Sequence, residues 1–248
     1  MKLLRTEHRR DAGVSMTELV VAMMIMSLVV IATTTLTIGF ERTTAENVAR
    51  QDQIDAGRVA MARISRNLRM AVSQKQLATS CTGCPEQPFV SAGRFGMTFY
   101  ANIDNKDGSV GPSRVTYSVG TVGGVPGVLQ ESILRPNAAA PGVNGWAYCD
   151  PVAASATADC RSRLTTRRLA TGVLTDGPPL FAYFQQGGAP LSAPSTGLPG
   201  GDLGKVTSVE LTARVGSTGA VRPVATTYVQ RVLLGNAIAL QPQTGATP

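Results

Sequence analysis

The chain reads as an α+β protein: a long N-terminal α-helix, apolar in its first half and amphipathic in its second, packed on an antiparallel β-sheet domain. Three observations predict this. No charged side chain occurs from Leu19 to Phe40. Farther on, Ile54, Met61 and Leu68 recur every seven residues, with Ile64 and Ala71 between them, the spacing of one helix face. After Thr79 the texture changes to short β-rich runs separated by Gly and Pro.

The first element is a polar leader, residues 1–13, in which Lys2, Arg5, Arg9 and Arg10 outnumber Glu7 and Asp11. The apolar segment 14–40 follows. At about 1.5 Å rise per residue its uncharged part reaches roughly 33 Å, enough to cross a hydrocarbon core. Basic residues before it and Glu41 after it orient the N-terminus toward the cytoplasm and the bulk of the chain outside. Within this segment stands one carboxylate, Glu18. Such a charge costs roughly 2 to 3 kcal/mol on insertion, so it calls for a partner or a function. Three fates of the N-terminus compete: a plain signal anchor, a signal peptide cleaved after Val30-Ile31-Ala32, and a cut after Gly13 that keeps the apolar stretch on the mature chain. Only the last gives Glu18 a role. It would create an ammonium group on Val14, four residues before Glu18 and on the same helix face.

The run Gly13-Val14-Ser15-Met16-Thr17-Glu18-Leu19 resembles the class III processing signal of type IV pilins and type II secretion pseudopilins. Gly13 matches the family's glycine and Glu18 its glutamate at the fifth mature position. Val14 stands where the family most often has phenylalanine. The resemblance implies cleavage between Gly13 and Val14 by prepilin peptidase, N-methylation of Val14, and pairing of Glu18 with the terminal amine of a neighbouring subunit during filament assembly. A buried pair of this kind favours one axial register more than it adds stability. The resemblance further implies an inner-membrane, single-pass precursor that enters an extracellular or periplasmic filament, with other pilin or pseudopilin subunits as partners. Arg63-Ile64-Ser65-Arg66-Asn67-Leu68-Arg69 is similar to the end of the long helix in minor pilins of the PilW type and J-type pseudopilins.

The amphipathic continuation, 41–78, is expected to run to about Gln76, with Gly57 weakening it locally and Arg58, Arg63, Arg66 and Arg69 on its solvated faces. The exported domain, 79–248, is expected to hold strands at Phe95–Tyr100, Arg114–Val119, Gly127–Leu134, Leu164–Val173, Leu180–Phe184, Val206–Val215 and Ala225–Leu234. Alternation is clearest in Val206–Val215, as in a half-buried antiparallel strand. The helix stripe supplies its cover. Pro136–Asn144 and Gly187–Gly204 read as surface loops, too poor in bulky residues to pack a core.

Four cysteines, all in the exported part, suit two disulfides in an oxidising compartment. Three connectivities exist; short loops favour Cys81 with Cys84 and Cys149 with Cys160. Against a zinc site or a redox Cys-x-x-Cys stand the single close pair and the missing βαβ context. The sole histidine, His8, lies in the leader, so the mature chain lacks imidazole for acid, base or metal chemistry and reads as no enzyme with no cofactor. Asn102, Asp104 and Asp107 cluster oxygen ligands as a calcium loop would, but Lys106 and the absence of a closing glutamate favour an ordinary turn. Net charge is +7, or about +5 without the leader. Arg161, Arg163, Arg167 and Arg168 make the densest basic cluster and raise nucleic acid as a ligand, though no stacking aromatics interleave them. The expectation for function is thus a minor pilin or pseudopilin. The alternative is a signal-anchored or secreted binding module, one version of it DNA-binding in uptake.

Overall fold

The computed structural model describes residues 15–78, 81–103, 105, 108–216 and 225–239. The chain divides into two units, one ending at Ala49 and one starting at Arg50. Helix α1, Met16–Arg69, contributes to both. It starts where Ser15 caps it: Ser15 Oγ accepts from the Thr17 N–H (3.3 Å), and the Leu19 N–H closes the first turn on the Ser15 carbonyl (3.1 Å).

In the second unit the seven-residue stripe is the buried face of α1. Met61, Ile64 and Leu68 are buried, together with Gly57, Ala60, Ser65 and Asn67. Gly57 has a packing reason to be glycine, since a Cβ there would stand 2.7 Å from Tyr228 Cε2, and the Tyr228 hydroxyl donates to the Ile54 carbonyl (3.0 Å). The helix ends at Arg69, not near Gln76. Met70 and Ala71 close tight turns on Asn67 and Leu68, and the Val72 N–H turns to the Tyr100 carbonyl (2.9 Å). Ser73 and Gln76 then form a capping box that starts a separate short helix, α2, Gln74–Leu77. Backbone groups taken by a strand and a competing cap, not loss of periodicity, break the helix.

The remaining described elements are β1 (Phe89–Ala92), β2 (Gly96–Ala101), β3 (Ser113–Val122), β4 (Val125–Leu134), α3 (Ala158–Ser162), β5 (Leu164–Ala170), β6 (Phe181–Phe184), a 3₁₀ turn at Gln186–Gly188, β7 (Pro190–Leu191), α4 (Gly200–Leu203), β8 (Ser208–Val215), β9 (Thr226–Leu233) and α5 (Gly235–Ala239). They build two antiparallel sheets where the sequence suggests one. The first is a meander in the order β1-β2-β3-β4-β5, the second runs β7-β6-β8-β9, and a bridge between Val173 and Val215 joins them. The seven expected strands are present with shifted ends, while β1 and β7 are additional. β8 alternates as expected, with Val209, Leu211, Ala213 and Val215 inward and Glu210, Thr212 and Arg214 outward.

The core lies where the helix stripe meets both sheets. Phe89 on β1 packs on Phe99 of β2 (5.8 Å between centroids) and edge-on to Tyr183 of β6 (6.2 Å), so one aromatic cluster spans the two sheets. Gly187–Gly204 is not purely a surface excursion. Leu198 and Leu203 are buried, and the Leu198 N–H donates to the Ala92 carbonyl (2.7 Å), covering the free edge of β1. Two disulfides tie down the loops: Cys81 with Cys84 and Cys149 with Cys160. α3 is capped by Thr157 Oγ1, which accepts from the Cys160 N–H and so holds one end of the second bridge (3.1 Å).

Candidate functional site: the apolar helix and its carboxylate

In the first unit every described residue, 15–49, is exposed. This includes the large apolar side chains from Leu19 to Phe40, far more contiguous apolar surface than a water-soluble face carries. The helix is long and apolar enough to cross a membrane. Its hydroxyls suit such a setting. Ser27, Thr33, Thr34, Thr35, Thr37 and Thr43 each donate back to a carbonyl three or four residues earlier, so none presents an unpaired O–H.

Glu18 sits in the first turn, where the helix dipole favours an acid. Ser15-x-x-Glu18 is capping-box spacing, yet the Glu18 carboxylate accepts no hydrogen bond and forms no ion pair among the described residues. A charge exposed on an apolar helix, with no partner among the described residues, calls for one elsewhere. Gly13 and Val14, the expected cleavage pair, lie outside the described residues, as does His8.

The other half of α1 carries a polar site that the sequence reading missed. Glu131, on an inward position of β4 between Leu129 and Ile133, is buried. Its carboxylate accepts from Arg63 Nε at 2.8 and 2.9 Å, from Asn67 Nδ2 at 3.0 Å and from the Tyr117 hydroxyl at 2.8 Å. Arg63 is therefore no solvated-face residue; its guanidinium closes an ion pair at 2.7 Å with the side chain 24% exposed. Burial, then the Glu131 charge and hydrogen bond, push the Tyr117 hydroxyl well above the usual tyrosine range, so it stays a donor. Two signals were available: Ser65 and Asn67 interrupt the apolar face of the helix, and Glu131 interrupts the inward alternation of β4. The network pins α1 to β3 and β4. Ser65 Oγ, hydrogen-bonded to Gln230 Oε1 at 2.9 Å, pins it to β9.

Of the proposed calcium ligands, Asp104 and Asp107 lie outside the described residues. Asn102 Oδ1 accepts from Asn105 Nδ2 (2.7 Å), and Asn105 Oδ1 in turn accepts from the N–H groups of Val110 and Gly111. Among the described residues no three His, Cys, Asp or Glu side chains come together as a metal site. The arginine cluster is divided between two elements. Arg161 belongs to α3, and Arg163 caps that helix, pairs with Asp159 (2.9 Å) and donates to the Pro136 carbonyl (2.6 Å). Thr157 caps α3 ahead of β5, so of the four arginines only Arg167 and Arg168 lie on β5. Comparison with known proteins finds no matching family model, no matching curated protein and no matching solved structure.

Proposed function

We propose that the protein is a minor pilin or pseudopilin, a structural subunit of a type IV pilus or type II secretion-like filament. In this reading prepilin peptidase cuts between Gly13 and Val14, the α1 segment up to Phe40 holds the precursor in the cytoplasmic membrane, and assembly transfers that segment from lipid into a packed helical core. The observation that carries the proposal is Glu18, the one ionisable side chain on the exposed apolar half of α1, with no hydrogen bond or ion pair among the described residues. A terminal amine on Val14 of a neighbouring subunit supplies the missing charge and fixes the axial register, which is the use of a buried ion pair with the best physical warrant. A helix that is apolar all round suits both surroundings.

The test is replacement of Glu18 by Ala in the full chain, with membrane insertion, leader removal and recovery in sheared filaments measured in parallel. Insertion and cleavage should persist while recovery in filaments is lost. Wild-type recovery of the variant would remove the charge-pairing argument. Glu18→Asp, which keeps the charge on a shorter stem, should restore part of the recovery.

A further inference from the structure

Among the described residues β5 is the open end of the five-stranded sheet: it pairs there with β4 alone, and Thr165 to Arg168 are exposed. Beside it, between β5 and α1, lies a cleft of about 520 Å³ lined by Arg63, Arg66, Arg167 and Arg168 together with the apolar Val59, Ala62 and Leu169. The charge in this cleft is unbalanced. Arg63 is committed to Glu131, whereas Arg66, Arg167 and Arg168 have no carboxylate partner among the described residues. Arg167 stands directly opposite Glu131 in the β4–β5 register and so shares its helix-facing side, but the Glu131 oxygens already accept from Arg63, Asn67 and Tyr117.

We propose that β5 and this cleft bind an acidic, extended segment of a partner protein, which adds to the sheet as a further strand. An open edge offers unpaired backbone N–H and C=O groups, and strand addition uses them for affinity while alternate side chains enter flanking pockets. Acidic side chains at alternate positions of the added strand reach Arg66 and Arg167 on the cleft side, and the residues between them lie on the other face of the sheet. The arginines also set specificity, because they repel basic strands and leave neutral ones with desolvated charge. The free edge of β1, by contrast, is covered by the segment at Leu198. Single-stranded nucleic acid fits less well, since the cleft is lined by no aromatic ring on which a base could stack. The proposal stands independently of the filament reading.

The experiment measures anisotropy of labelled peptides with the full chain in non-ionic detergent. One peptide, about eight residues long to match a strand, alternates Glu with Val and Thr. A second carries the same side chains on alternately N-methylated amides, a third has Lys in place of Glu, and a fourth ligand is a single-stranded oligonucleotide. The acidic peptide should bind, and either N-methylation or Arg66→Ala with Arg167→Ala should weaken it by at least tenfold, of the order found for close interfacial charge pairs. The charge reversal Arg66→Glu with Arg167→Glu should transfer binding to the Lys peptide, a gain that misfolding cannot produce. Equal binding of the N-methylated peptide, indifference to the arginines, failure of the reversal to switch preference, or tighter arginine-dependent binding of the oligonucleotide would each overturn the proposal.

Discussion

Replacing Glu131 with Ala tests how the second half of α1 is held. The substitution removes the acceptor for Arg63, Asn67 and Tyr117 together. Asn67 Nδ2 keeps a bond to the Tyr117 hydroxyl at 2.8 Å, so that pair is only partly orphaned. The Arg63 guanidinium, 24% exposed, is left facing a cavity. Breaking a buried pair from one side costs about 3 to 5 kcal/mol, because the remaining charge recovers only part of its hydration. A domain of this size loses about 2 to 4 °C per kcal/mol. Thermal unfolding of the full chain in detergent at neutral pH, followed by circular dichroism, should therefore show a midpoint about 6 to 20 °C lower. Arg63→Met combined with Glu131→Leu, which removes both charges and keeps the volume, should recover much of the loss, whereas Arg63→Met alone should not. A Glu131→Ala midpoint close to wild type would refute the claim that this carboxylate fastens the helix to the sheet.

The hydroxyls of Tyr100, Tyr117, Tyr148 and Tyr183 are all raised above the usual value near 10, chiefly by burial. A raised folded-state value means the folded form holds its protons longer, so stability is intact below pH 10 and falls as pH rises beyond it. For the fully buried Tyr117 and Tyr183 the slope approaches about 1.4 kcal/mol per pH unit each. Denaturant titrations between pH 8 and 11 should show a flat region and then a decline; a flat profile throughout would contradict the burial of these rings. Opening the Cys149–Cys160 bridge, which spans 11 residues, by Cys149→Ser with Cys160→Ser should cost about 3 kcal/mol, and opening Cys81–Cys84 about 2 kcal/mol, by loop-closure entropy. Equilibrium unfolding of the two variants checks the order.

The parts legible in the sequence are those set by local pattern. The α1 stripe at Met61, Ile64 and Leu68 declares its buried face by period alone, and the alternation Val209, Leu211, Ala213 declares that of β8. Short loops between cysteines favour the pairing found. What stayed hidden depends on partners distant in sequence. The break at Arg69 requires knowing that Val72 pairs with Tyr100. The division into two sheets depends on β6 choosing β8 and β7, and β1 is too short to stand out before β2 claims it. Arg63 looked solvated because nothing nearby in sequence announces Glu131 across a sequence separation of 68 residues. For the candidate site the balance is reversed: Glu18 is conspicuous from composition alone, and the structure adds that it has no hydrogen bond or ion pair among the described residues.

We propose that Glu18 is retained because processing after Gly13 creates its counter-charge. N-terminal sequencing together with intact-mass measurement of the native membrane-bound or filament-bound protein tests this most directly. The expected result is a mature chain beginning at Val14, with the apolar half of α1 intact. A chain beginning at Thr33, as for a released protein, or at Met1, as for a plain anchor, would contradict it.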